Sequence, residues 1–167
     1  SLVMKQKIFQ ISGLHFYFKI FFEDEKLYRL QFSDVKNDLI DPQFSLKINE
    51  GKPSKFARDV KQQLDFYFNR KLNFFDIPLN IDVSDFTKSV LFEINKIPFG
   101  ETRSYKQVAE KINQPKAARA VGRASGANPI PIIIPCHRVV GSSGEQVGYS
   151  GGGGLLFKSY LQLLEKK

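Results

Sequence analysis

The hydrophobic period of this chain changes once, and that change limits what it can fold into. Up to about residue 33, aromatic and β-branched side chains dominate. The runs His15-Phe16-Tyr17-Phe18-Lys19-Ile20-Phe21-Phe22 and Leu27-Tyr28-Arg29-Leu30-Gln31-Phe32 flank a polar stretch, Glu23-Asp24-Glu25-Lys26. This reads as strand, turn, strand. In the second run Leu27, Arg29 and Gln31 alternate with Tyr28, Leu30 and Phe32, the pattern of a half-buried strand. Met4-Lys5-Gln6-Lys7 leads into a short mixed strand and lacks the apolar stretch of a signal peptide. Residues 34–52 are polar, hold Asp41-Pro42 and Gly51, and read as loop. A helix is expected over residues 53–69, with Pro53 in its first turn and Phe56, Val60, Leu64 and Tyr67 recurring at helical spacing. A short strand is expected around 77–83.

From Ser84 the pattern is that of short capped helices. Ser84 or Asp85 can cap a helix carrying Phe86, Val90, Leu91 and Ile94, which Pro98 and Gly100 stop. Ser104 caps a short helix through Tyr105, Val108, Ala109 and Ile112. A turn at Asn113-Gln114 leads to Pro115 at the head of a second helix, 116–125. Two short helices about a tight turn are a helix-turn-helix candidate. Glycine loops follow at 141–144 and 151–154. A last helix is expected from Leu155 to Glu165, with Leu156, Tyr160, Leu163 and Leu164 facing inward. The expected fold class is α+β. An N-terminal sheet-plus-helix scaffold spans 1–82 and a mostly helical unit spans 83–167.

The 167 residues suit one large domain or two small ones. Sixteen phenylalanines and no tryptophan lie mostly in the first hundred positions and read as core. A net charge of +8 favours a polyanionic partner, with a solvated basic face as the plain alternative. No apolar run approaches bilayer length, so no membrane partner is expected. A single thiol fits a reducing compartment, hence the cytoplasm, or the nucleus of a eukaryote. No cluster of metal ligands is present, and neither a metal nor a cofactor is expected.

That single thiol, Cys136, lies in Ile132-Ile133-Ile134-Pro135-Cys136-His137-Arg138-Val139-Val140. It has no disulfide partner within the chain. Free cysteines are commonly inert core residues, and adjacent side chains on a strand diverge, so the neighbouring His137 does not by itself make a dyad. A second stretch, Pro115-Lys116-Ala117-Ala118-Arg119-Ala120-Val121-Gly122-Arg123-Ala124-Ser125, is slim apart from its cations. Small residues suit tight helix packing in a core. They equally suit a helix entering a narrow groove, with Lys116 and Arg123 on phosphates and Arg119 reaching the base stack.

Taken in order, Phe99-Gly100-Glu101, Ser104-Tyr105, the slim helix, Asn128-Pro129, Ile134-Pro135-Cys136-His137-Arg138-Val139-Val140 and Gly148-Tyr149-Ser150-Gly151-Gly152 carry a resemblance. The chain resembles the O6-alkylguanine-DNA alkyltransferases, closely over 84–165 and only in layout before that. The resemblance implies a ribonuclease H-like N-terminal domain and a winged helix-turn-helix-like C-terminal domain. It implies a monomer acting on double-stranded DNA that carries O6-alkylguanine and, less well, O4-alkylthymine. The damaged base is flipped out, and Cys136 takes the alkyl group irreversibly, once per molecule.

Further roles come from the same resemblance. His137 would deprotonate Cys136 through a water, oriented by Glu165. Asn128 would fix the turn that carries the thiol. Tyr105 would donate to the departing guanine. Pro131, Val139, Tyr149, Ser150 and Gly151 would border the base, whose edge backbone groups at Cys136 and Val139 would read together with the Ser150 side chain or amide. Arg119 would fill the vacated stack, while Ser104, Lys116, Ala117, Ala118 and Arg123 would meet DNA. The glycine run 151–154 is two residues longer than the family's usual pair, and Glu165 is reached by letting the extra glycines loop out. Arg123 stands where small residues are common in the family, and Gly126 where a basic one is common. If Cys136 is activated, its reaction with a haloacetamide titrates below the ordinary thiol value near 8.5. Two rival readings differ in test. A non-catalytic binder of alkylated bases would not react with benzylguanine, and a Cys-His hydrolase would turn over repeatedly on an ester.

Overall fold

The computed structural model describes residues 5–10, 16–34, 54–145 and 154–166. It divides into two compact units, Ser1–Asn80 and Ile81–Lys167. The expected loop over 34–52 (beyond residue 34), the expected helical position of Pro53, Gly151–Gly153 of the glycine run and the side chain of Leu156 lie outside the described residues.

In the first unit, β1 (Lys5–Gln10), β2 (Phe16–Glu23) and β3 (Lys26–Asp34) form an antiparallel sheet in the order β1-β2-β3. The two-residue connection places Asp24 (φ 49°) and Glu25 (φ 57°) in the left-handed region. That geometry matches the twist of the flanking strands. The alternation expected in β3 slips by one residue. Phe22 pairs with Leu27 but Phe21 pairs with Arg29, which makes Tyr28 the extra residue of a bulge. Leu27 is therefore buried, although Arg29 and Gln31, its expected face-mates, are exposed.

Helix α1 (Lys55–Phe68) starts at Ser54, whose side chain accepts from the Ala57 N–H at 3.2 Å. Its buried stripe Phe56, Ala57, Val60, Leu64, Tyr67 and Phe68 meets the sheet through ring contacts such as Phe22–Phe56 at 4.9 Å and Phe18–Phe68 at 5.6 Å. Reading every phenylalanine as core is corrected. Phe74 is 74% exposed and Phe92 68%, because each lies off the buried face of its segment. The strand expected at 77–83 is reduced to one parallel bridge, Leu27 with Leu79. Pro78 supplies only a carbonyl there, accepting from Leu27 N–H at 2.9 Å, and the chain turns into the next helix after Asp82.

In the second unit, Ser84 rather than Asp85 caps α2 (Asp85–Ile94), accepting from the Thr87 N–H. Ser104 and Gln107 form a reciprocal capping box on α3 (Tyr105–Lys111). Helix α4 (Ala118–Gly126) begins later than expected. Ala117 N–H donates to the Gln114 carbonyl at 2.9 Å, so Pro115 sits inside a turn and Lys116 precedes the helix. Strand β4 (Arg103–Ser104) pairs in parallel with β5 (Val139–Val140) and brings the start of α3 beside the Cys136 segment. Helix α5 (Gly154–Glu165) closes the unit. Phe157, Lys158, Leu161 and Glu165 are its buried stripe, while Leu163, expected inside, is 62% exposed. It lies two residues, about 200° of rotation, beyond Leu161 and so on the opposite side. Among the described residues no helix is long and apolar enough to cross a membrane.

Candidate active site

The thiol is delivered by a rigid loop. Asn128 clamps both ends of it. Its side-chain amide donates to the Ile134 carbonyl at 2.9 Å, and its side-chain oxygen accepts from the Ile130 N–H at 2.9 Å. Between them Ile132 adopts φ 73°, strained for a β-branched residue, as Ile133 N–H reaches back to the Pro131 carbonyl at 2.9 Å. The chain then winds into a 3₁₀ turn, Cys136–Arg138. Cys136 N–H donates to the Ile134 carbonyl, and Val139 N–H to the Cys136 carbonyl. Both of these backbone N–H groups are thus committed within the loop.

Adjacent side chains in a 3₁₀ turn stand about 120° apart around its axis, so the thiol and the imidazole still diverge. Cys136 is 6% exposed and His137 fully buried. The His137 imidazole Nε2 lies 2.7 Å from Glu165 Oε1 on α5. The same carboxylate accepts from Arg138. Arg138 Nε lies 3.1 and 3.0 Å from its two oxygens, and Nη2 lies 2.7 Å from Oε1. Arg138 Nη1 donates to the Ile97 carbonyl at 2.6 Å. Gly100 has φ +81° and sits so close to α5 that a Cβ there would meet the Glu165 carbonyl at 3.0 Å. Glycine is required at that position on both counts.

Electrostatics divides these groups into resting states. Hydrogen bonds from His137 and Arg138, together with their charges, outweigh burial and hold Glu165 at about 2. Burial pushes His137 below its ordinary value, and Arg138 and Lys158 push the same way against the pull of Glu165. The imidazole is neutral at pH 7 and able to accept a proton. Burial pushes the Cys136 thiol up, only partly offset by the Asn128 side chain and the Lys158 charge. The expectation of a low thiol titration is therefore corrected: a desolvated sulfur disfavours its anion. In DNA-free folded protein, the rate of haloacetamide modification should climb with a midpoint above about 8.5. A midpoint near 7 would contradict the burial described here.

Lys158 is fully buried, with its ammonium 5.8 Å from the centre of the Tyr105 ring. Burial lowers its basicity and the nearby thiol partly restores it. Tyr105, half-buried at the first position of α3, is pushed up by burial and then by Cys136, so it keeps its proton as a donor. Gln162 donates to the His137 carbonyl at 2.7 Å. Lys158, Gln162 and Glu165 stand at i, i+4 and i+7 of α5, one face over the thiol turn. The sequence reading quotes Arg138 only within a motif and assigns no role to Lys158 or Gln162. The polar i, i+4, i+7 spacing inside an otherwise apolar helix was the available signal.

The remaining expected residues fall as follows. Pro131 is half-buried and Val139 fully buried beside the turn. Tyr149, Ser150 and Gly151 lie outside the described residues. On α4, Val121, Ala124 and Ser125 are buried, Ala118 and Ala120 are half-buried, and Arg119 and Arg123 are exposed. Ala117 is half-buried and Lys116 exposed just before it. The slim helix thus packs on one side and presents cations on the other. The Ser104 oxygen is occupied as a cap, which leaves its hydroxyl hydrogen for any phosphate. Among the described residues no group of His, Cys, Asp and Glu could hold a metal.

Residues 85–167 match the family model described as "6-O-methylguanine DNA methyltransferase, DNA binding domain". A methylated-DNA–protein-cysteine methyltransferase of Methanosarcina barkeri is 50% identical over 112 residues, 67% of this chain and 70% of that protein. Its counterpart from Mycolicibacterium paratuberculosis is 50% identical over 115 residues, covering 69% and 68%. The crystal structure of Mycobacterium tuberculosis O6-methylguanine methyltransferase superposes with a TM-score of 0.77 at 35% identity, over 96% of this chain and 92% of that one. The same protein in complex with DNA gives 0.76 at 34% identity, over 96% and 92%.

Proposed function

Because the chain belongs to the methylated-DNA–protein-cysteine methyltransferases, we propose that it repairs duplex DNA by moving an alkyl group from O6 of a flipped-out guanine onto Cys136, once per molecule. The observation that carries this reading is the convergence of a buried thiol, a neutral imidazole and an ionised carboxylate in one turn and one helix. The sulfur rests protonated. Its proton passes to His137, through a water, as the base arrives. The resulting imidazolium is met by Glu165, and the sulfur anion by the Lys158 charge. The thiolate attacks the alkyl carbon in line, the carbon–O6 bond breaks, and its electron pair stays on guanine. Tyr105 offsets that charge by donating a hydrogen bond from its phenol, so the transfer ends as guanine anion and imidazolium. Breaking the new carbon–sulfur bond would need another nucleophile to expel the cysteine thiolate from an unactivated thioether, so the sulfur is not regenerated.

The rest of the site serves delivery. Asn128 and the strained turn at Ile132 set the thiol. Pro131, Val139, Tyr149, Ser150 and Gly151 border the base. O4-alkylthymine is a poorer substrate of the same pocket. The pair α3 and α4, with β4, β5 and the Gly141–Glu145 turn, acts as a winged helix-turn-helix, following a ribonuclease H-like scaffold over 1–82. Its exposed cations take the phosphates, joined by Ser104 and the backbone at Ala117 and Ala118. Arg119 enters the stack in place of the flipped base. The protein acts as a monomer, in the cytoplasm or a eukaryotic nucleus.

Incubation with duplex DNA containing O6-methylguanine should add one methyl mass to the peptide holding Cys136. An unmodified peptide despite measured DNA binding would reject the proposal. Arg119→Ala should slow repair in duplex about 10-fold to 100-fold, from loss of roughly 1–3 kcal/mol of stacking and pairing, yet leave reaction with free benzylguanine unchanged. Equal losses on both substrates would remove the intercalating role.

A further inference from the structure

We propose that Arg138 is a positioning residue for alkyl transfer: it holds the Glu165 carboxylate on two of its nitrogens, ties it to α2's trailing end through the Ile97 carbonyl, and thereby limits how strongly that carboxylate pulls on His137. The proposal rests on the functional reading above and extends it from a pair to a triad.

Glu165 Oε1 accepts from His137 Nε2 at 2.7 Å and also from Arg138 Nη2 at 2.7 Å. One oxygen therefore serves two donors at equal distance. Arg138 Nε adds contacts to both oxygens, so the carboxylate plane is fixed by a fork rather than by the imidazole. All three side chains are within a few per cent of full burial, at 0% for His137, 2% for Glu165 and 6% for Arg138, so no solvent shares the load. The remaining guanidinium nitrogen reaches the Ile97 carbonyl at 2.6 Å, just past α2. Arg138 thus joins the thiol turn, α5 and the end of α2 through one rigid group.

The consequence concerns the imidazole. The charged and titratable groups facing His137 are Glu165 and Lys158 from α5 and Arg138 and Cys136 from its own turn; α2's trailing end brings the Ile97 carbonyl. A buried glutamate beside a histidine, with no cation to share it, favours imidazolium and raises the pH at which the free base forms. With Arg138 sharing the same oxygen, the carboxylate is largely neutralised until His137 takes the thiol proton. Removing the Arg138 charge gives the whole carboxylate to His137. The imidazole then protonates at higher pH, and the acid limb of transfer moves upward.

The test uses the full chain, benzylguanine as probe and single-turnover rates from pH 5 to 9. With Arg138→Gln, the acid limb and the His137 imidazole titration, followed by NMR, should both move up by about one pH unit, a tenfold change in protonation ratio. The chain has only two histidines, so a His15→Gln background isolates the His137 signal. Arg138→Lys keeps a charge but has no fork. It should leave the titration in place and lower the plateau rate at every pH. A uniform loss in Arg138→Gln with unmoved titration would overturn the proposal, as would an Arg138→Lys protein matching the unaltered one throughout. If Arg138→Gln does not fold, the lysine variant decides. If the unaltered protein takes no benzyl group, the functional reading falls, and the NMR titration still tests the role of Arg138.

Discussion

Cys136→Ser is expected to bind duplex DNA carrying O6-methylguanine as tightly as the unaltered protein and to transfer nothing. The substitution keeps the shape of the loop, because Asn128, the Ile132 turn and the Cys136 N–H bond to Ile134 involve no sulfur atom. What it removes is a group that a neutral imidazole can deprotonate. An alcohol is a far weaker acid than even this buried thiol, and its oxygen is a poor nucleophile toward an alkyl carbon. Binding by gel shift and mass spectrometry of the residue-136 peptide read the two properties separately. Residual transfer in the serine protein would assign the acceptor role elsewhere. Loss of binding together with transfer would show that the substitution had disturbed the loop.

Glu165→Gln is expected to damage both fold and chemistry. Removing one charge of a buried pair leaves the other uncompensated, here Arg138, at a cost of about 3–5 kcal/mol. The amide also accepts fewer hydrogen bonds than the four contacts Glu165 receives from His137 and Arg138 imply. Transfer to Cys136 should slow by at least about 10²-fold, because the imidazolium formed as the thiol is deprotonated loses its counter-ion. Unfolding in urea measures the first effect and single-turnover benzylguanine kinetics the second. A protein of unchanged stability would mean that the carboxylate contributes no net pairing energy.

The same groups set an acid limit on stability. Glu165 titrates at about 2 in the folded chain against an ordinary 4.5. Its contribution is complete above 4.5 and is lost as pH falls toward 2. His137 is also lowered from 6.5, so the unfolded chain takes up that proton first and stability begins to fall below 6.5. Cys136 and Tyr105 are raised, and their contributions are lost on the alkaline side. In Glu165→Gln the part of that loss due to position 165 should disappear, since this site keeps no carboxylate to titrate.

Local order in this chain was legible without coordinates. Ser104 caps its helix as its sequence position implies, Ser84 does so where Asp85 was the alternative, and the helical spacing of Phe56, Val60, Leu64 and Tyr67 marks a face that is buried. These features depend on residues within one or two turns of each other, where spacing and hydrogen-bond chemistry act directly. Motif order carried the family, and Cys136 stood out as the single thiol.

What only tertiary structure decided are the relations between distant segments. A bulge at Tyr28 reversed the face of Leu27, and one bridge replaced a strand at Leu79. Burial selected which side of α5 turned inward, which excluded Leu163 and admitted Lys158 and Glu165. The sharing of one carboxylate between His137 and Arg138, 28 and 27 positions away, arises because α5 packs on the thiol turn. The resting charges follow from that packing alone. A residue type sets which charges are available, but desolvation and neighbours brought in by the fold set which of them are carried.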